Sequence, residues 1–187
     1  MHDSILTEPA ATQGLRHDPT TILLHWLTAA LVVVLWTIGQ TVDFAPSGAL
    51  RVDYRSVHIV LGATLAVVLV ARIAWRLTRN GMLPALDTGL LLLVARATHF
   101  ALYVLLVAAV GLGLANAWIR GDSLFNLFTI PSIAPGDKVL RGNVEDWHAL
   151  AANAVLIVAG VHAAAALFHH LFLRDATLRR MLPWRQV

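Results

Sequence analysis

The segment EDWHALAANAVLIVAGVHAAAALFHH, residues 145–170, sets His148 and His162 fourteen residues apart in an otherwise apolar run. An imidazole taken out of water needs a hydrogen-bond or metal partner, because an unpaired ring nitrogen is costly to bury. On a helix, fourteen residues advance about 21 Å and return to within about 40° of the starting direction, so both rings share a face at two depths. Two more histidines stand in apolar runs, His25 in TTILLHWLTAALVVVLWTIGQTV and His58 in VHIVLGATLAVVLVARIAWRL. Counting turns from the ends of these runs pairs them by depth, His25 with His162 and His58 with His148. The flanking positions are small: Ala29, Gly62, Ala151, Ala152, Ala159 and Ala166. Two neutral imidazoles from different helices at one level, with room between them, suit the axial positions of a haem iron. The apolar porphyrin rim suits an interior without water.

A lone histidine in an apolar helix is ordinarily held by a backbone carbonyl or a hydroxyl. Four in two depth-matched pairs ask for a cofactor, and the expectation is two b-type haems per chain. His169, one heptad beyond His162 and on nearly the same face, is the alternative ligand at that level, with depth favouring His162. His99, His169 and His170 near the boundary can bond a haem propionate or relay protons to a bound quinone; interfacial solvation accounts for them equally well. His2 and His17 read as surface residues of a mobile tail. Zinc or iron transport is the rival use of such rings, but transport paths add intramembrane carboxylates, and the central parts of the apolar runs hold no Asp or Glu.

The elements that must carry these rings follow from composition. The 187 residues are 58% hydrophobic and 13% charged, and the mean hydropathy of +0.69 is outside the range of an ordinary soluble domain. One all-α integral membrane domain over residues 1–187 is expected, a four-helix up-down bundle with spans near 20–42, 53–78, 88–118 and 144–173. Asp18 and Pro19 mark the first helix start. The breakers Asn80-Gly81 and Pro84 close the second. Residues 1–18 lack the basic-then-apolar pattern of a removable signal, so the first span is expected to act as its own. The connection at 119–143 is rich in Gly, Pro, Ser and Asn, with SLFNLFTI expected as an amphipathic piece along the interface.

With no cysteine, disulfides, thiolate catalysis, iron-sulfur clusters and c-type haem attachment drop out. The basicity, a pI near 10.2, has its arginines at span ends and in no dense run, so no nucleic-acid partner is expected. If the N-terminus is inside, nine Lys and Arg lie on the inner side and five on the outer, which predicts both termini cytoplasmic. Trp36, Trp118 and Trp147 then form the outer aromatic belt, and Trp75 and Trp184 the inner one. Arg72, Arg76 and Arg96 can pair with haem carboxylates or simply anchor the inner face. Outside, Arg51, Arg55, Lys138 and Arg141 can draw in a small anion, although Asp43, Asp53, Asp122, Asp137, Glu145 and Asp146 leave no net positive field and confine any steering to short range.

LLHWL at 23–27, SVHIVLG at 56–62, THFALY at 98–103, DWHALAAN at 146–153 and VHAAAALFHHLFLRDATLRRMLP at 161–183 together resemble the prokaryotic cytochrome b561 family over nearly the whole chain. The resemblance implies a four-helix, di-haem b protein of the bacterial inner membrane, with axial ligands on His25 and His162 at the cytoplasmic side and His58 and His148 at the periplasmic side. It further implies oxidoreductase activity passing electrons from periplasmic superoxide to ubiquinone, as a superoxide oxidase of that family does. The outer loops are the least motif-like part of the chain, and the candidate superoxide contacts there, Arg51, Arg55 and Lys138, rest on their charge alone. The rival from another class is a non-catalytic electron-transfer or anchor subunit serving a larger respiratory complex.

Overall fold

The computed structural model describes residues 16–78 and 88–183. His2, Arg79, Trp184, Arg185 and the breakers at 80–84 lie outside the described residues. Four long helices run in antiparallel succession: α1 (Pro19–Thr41), α2 (Ala49–Thr78), α3 (Gly89–Arg120) and α4 (Lys138–Phe168). Each contains a stretch long and apolar enough to cross a bilayer. Their outward faces remain apolar, with Val67, Ile157 and Val161 each more than 60% exposed, the pattern of helices solvated by lipid.

The helix ends have local causes. Asp18 accepts from the Thr21 backbone N–H at 3.0 Å, and Pro19 fills the first turn of α1, as its sequence suggests. α2 starts at Ala49, earlier than expected, directly after Gly48 in the left-handed region at φ +106°. α4 starts at Lys138, about a turn and a half before the expected boundary, because Asp137 caps the Leu140 N–H at 2.9 Å. Gly121 ends α3 at φ +66°, and both its N–H and that of Asp122 return to the Ala117 carbonyl.

The segment expected as an amphipathic interfacial piece is instead a small antiparallel hairpin, β1 (Ser123–Leu124) with β2 (Phe128–Thr129). Phe125 and Asn126 at its turn both have positive φ, which forbids a continuous helix there. Its tie to the bundle is Ser56, fully buried, which accepts from the Phe125 N–H at 2.8 Å and donates to the Val52 carbonyl at 2.7 Å. This end of the bundle is called the hairpin end; the other, where residues 16–18 and 174–183 meet, the terminal end.

At the terminal end α4 runs into a π-turn, His169–Leu173, and Arg174 in the left-handed region turns the chain back. The returning segment reaches α1: the Arg16 guanidinium donates to the Leu182 carbonyl, His17 N–H to Arg180 O at 3.2 Å and Trp26 Nε1–H to Met181 O at 2.7 Å. His17, expected at the surface, is therefore half-buried and tied by its backbone.

The apolar core is Leu31, Leu35, Leu65, Val68, Leu69, Leu106 and Val155. Val155 lies seven residues from both His148 and His162, so this plug occupies the middle of the bundle between two histidine levels.

Candidate functional site

At the hairpin end, α2 and α4 bring His58 and His148 together with ring centroids 6.1 Å apart and planes at 88°. At the terminal end, α1 and α4 bring His25 and His162 to 6.3 Å and 71°. An iron held linearly between two imidazoles sets a centroid spacing of about 6.4 Å, from metal–nitrogen bonds of about 2 Å and about 1.2 Å from each nitrogen to its ring centre. Both pairs have this spacing.

The hairpin-end pair faces a cavity of about 410 Å³, lined by all four helices and including Gly39, Gly62, Gly113, Ala109 and Ala152. His148 Nδ1–H donates to the Ala109 carbonyl at 2.9 Å; a carbonyl only accepts, so the proton is on Nδ1 and the Nε2 lone pair is free for a metal. His58 Nδ1 is buried beside the Leu35 carbonyl without a hydrogen bond of good geometry. The donor set, the spacing and the small-residue cradle fit a bis-imidazole haem.

The terminal-end pair has the spacing but a different hydrogen bond. Arg72 Nη2 is 3.0 Å from His25 Nδ1. Guanidinium only donates, so His25 Nδ1 accepts and its proton sits on Nε2. Iron ligation through Nε2 therefore requires Arg72 to leave this contact. The Arg72 and Arg76 guanidinium groups also lie over the Tyr103 ring, at 5.4 and 5.8 Å.

The remaining histidines separate. His99 of α3 meets His162 with centroids 5.1 Å apart, a third imidazole at the terminal-end level. His169 is turned away to Asp175, Nδ1 to Oδ2 at 2.5 Å. Beyond the span, this contact and those of Thr177 hold the Asp175 carboxyl below its usual range, against a larger single effect of burial that raises it. His170 Nδ1 is buried with no hydrogen-bond partner.

Of the candidate anion contacts, Arg51 is engaged: its guanidinium donates to the carbonyls of Asp43 and Ala45 and closes the α1–α2 turn. Arg55 lines the cavity mouth, 3.7 Å from Asp122. Lys138 is exposed at the first turn of α4. Sequence reasoning missed Arg120, which pairs with Asp122 at 3.4 Å and Glu145 at 3.5 Å and completes a charged rim with Arg55. It missed too the polar lip where Trp36 Nε1–H donates to Asn153 Oδ1 at 2.8 Å, joined by Gln40 at 3.4 Å. No spacing in the sequence pointed to this lip, because a belt position explained Trp36 without it.

A family model described as prokaryotic cytochrome b561 matches residues 16–184. The chain is 31% identical over 164 residues to a protein named probable superoxide oxidase CybB from Yersinia pestis, covering 86% of this chain and 92% of that one. It is 27% identical over 175 residues to cytochrome b561 homolog 1 of Escherichia coli K12, covering 91% and 99%. A protein named cytochrome b562 from Cereibacter sphaeroides is 31% identical over 167 residues, covering 86% and 91%.

Proposed function

The chain belongs to the prokaryotic cytochrome b561 family of electron-transfer membrane cytochromes, and from that premise we propose that it oxidises periplasmic superoxide and reduces ubiquinone, using two b haems. Two superoxide anions each give up one electron and leave as dioxygen, while one quinone takes two electrons and two protons. When bound, the haems would supply one-electron exchange, held by His58 with His148 and by His25 with His162.

The observation that carries this proposal is the spacing of two imidazole pairs, 6.1 and 6.3 Å, contributed by separate helices at opposite ends of the bundle. His58 and His148 would hold the periplasmic-side haem, His25 and His162 the cytoplasmic-side one. His169 is the weaker ligand candidate, since it is His162 that meets the His25 ring at 6.3 Å, while His169 lies a heptad further on, in the turn after α4. With Asp175, and with His99, it is placed to meet a propionate or to hand protons to quinone. Arg72 would exchange His25 for a cofactor carboxylate. Arg55, at the cavity mouth, is the best placed of the anion contacts, with Arg51 and Lys138 more distant in role. The bias of nine basic residues against five supports cytoplasmic termini, and the four apolar spans of a prokaryotic membrane cytochrome support a place in the bacterial inner membrane.

The test is a reduced-minus-oxidised spectrum with pyridine haemochrome stoichiometry on the purified chain, followed by stopped-flow mixing with generated superoxide. Two haems per chain and rapid superoxide-driven reduction, with quinol formed when ubiquinone is added, are expected. Haem present but inert to superoxide, with a protein partner co-purifying, would assign an electron-transfer subunit instead. A colourless folded chain carrying divalent metal would indicate transport.

A further inference from the structure

Within α3, the run VGLGLANAW carries two glycines, Gly111 and Gly113. Glycine weakens a helix interior relative to alanine, so each needs a packing reason. Gly111 has none on its Cβ side: a methyl there meets nothing within 4 Å. Gly113 is different, for a Cβ there would lie 2.9 Å from His148 Cε1 and 3.2 Å from His148 Nδ1. The Cε1–Nδ1 edge of the α4 imidazole occupies the space that a side chain at 113 would take.

The same contact explains the hydrogen bond. His148 Nδ1–H reaches the Ala109 carbonyl at 2.9 Å, the carbonyl one turn before Gly113 that a regular helix pairs with the Gly113 N–H. A carbonyl inside a helix is normally screened by the side chain one turn later. With no side chain at 113, the ring reaches the second lone pair of Ala109 O without breaking the helical bond. That bond fixes the His148 tautomer with the proton on Nδ1, leaving the Nε2 lone pair free on a ring that lines the cavity shared with His58.

We propose that Gly113 is a positioning residue for the hairpin-end cofactor, its missing side chain admitting the His148 ring to the Ala109 carbonyl so that Nε2 is held ready for iron. This rests on His148 being an axial ligand. Gly113→Ala forces the ring off the Ala109 carbonyl, removing the restraint on both tautomer and azimuth. The His25–His162 level shares no atom with this contact.

The experiment compares Gly113→Ala with Gly111→Ala, His148→Ala and the unchanged chain, all purified in detergent. The readouts are haem per chain, low-spin EPR and the midpoint potential of each haem. Gly113→Ala is expected to lose the haem that His148→Ala loses, or to shift its EPR signal and potential, while the other haem and Gly111→Ala stay unchanged. Wild-type haem content, signals and potentials in Gly113→Ala would overturn the inference while leaving the His148 ligand assignment standing. If His148→Ala itself keeps both haems, the ligand assignment fails. Should Gly113→Ala lower the yield of folded protein, joining it to His148→Gly is expected to restore the yield to that of His148→Gly alone, because the nearest atoms met by the added methyl are those of His148. A yield still depressed in the double variant would make Gly113 a general packing residue and overturn the inference.

Discussion

At the scale of single residues, the two imidazole pairs differ in what holds their far nitrogens. His148 gives its Nδ1 proton to a carbonyl, whereas His25 receives a proton from Arg72, so the two rings carry opposite tautomers. Under the proposed haem ligation, His148 would need no rearrangement to offer Nε2, whereas His25 would first have to give up its contact with Arg72. His58→Ala is expected to remove the hairpin-end haem and spare the other, read as loss of one component in the low-temperature α-band. His162→Ala and His169→Ala should differ in the same way: the variant that keeps a six-coordinate low-spin spectrum did not ligate, and that is expected to be His169→Ala, because it is His162 that stands opposite His25. On the charged rim, Arg55→Gln should slow superoxide-driven reduction by about threefold at low salt and by less near 0.5 M, where screening shortens the reach of a single charge. Equal rates at every ionic strength would remove Arg55 from steering.

At the scale of elements, the returning segment 174–183 closes the terminal end over α1, and its contacts are sensitive to acid. The sign follows from two groups outside the spans. His17 is held below its ordinary value by burial first, then by the charges of Arg180 and Arg76 against the opposing pull of Asp18. A depressed histidine binds protons more readily once released, so the stability it contributes falls as pH drops from about 6.5. The Asp175 carboxyl is also depressed, so its contribution is present above about 3.9 and lost as pH falls through the lower folded value. Hydrogen-exchange protection of residues 174–183, taken relative to the intrinsic amide rate at each pH, should therefore fall in two windows on acidification, with the lower window absent in Asp175→Asn. The α4 start is a second element-level feature. Asp137→Ala should cost about 1 kcal/mol and fray the first turn of α4 while leaving both imidazole levels in place. That cap was legible only in hindsight, because KVLRGN carries too many polar residues and a glycine to read as the opening of an apolar span. The hairpin was hidden for a related reason: SLFNLFTI repeats its polar residues at every third position, Ser123, Asn126 and Thr129, which reads as an amphipathic helix, and the buried Ser56 that pins it comes from a distant helix.

At the scale of the whole molecule, a lipid-facing bundle encloses two polar levels separated by a dry aliphatic plug. A reporter fused to the C-terminus should be active if it requires the cytoplasm and silent if it requires the periplasm; the reverse would invert the assignment of the two levels to sides. Four apolar spans, their antiparallel order, the Asp18-Pro19 start of α1 and the depth of each histidine could all be counted along the chain. They depend on bilayer thickness and on the fixed rise and rotation of a helix, which are local properties. What the rings touch could not be counted. The Ala109 carbonyl and Gly113 behind His148, Arg72 on His25, His99 beside His162 and the pairing of His169 with Asp175 all depend on how each helix is rotated and tilted against its neighbours or on how the chain turns after α4. Those angles are set by the packing of the entire bundle, and no periodicity within one helix encodes them.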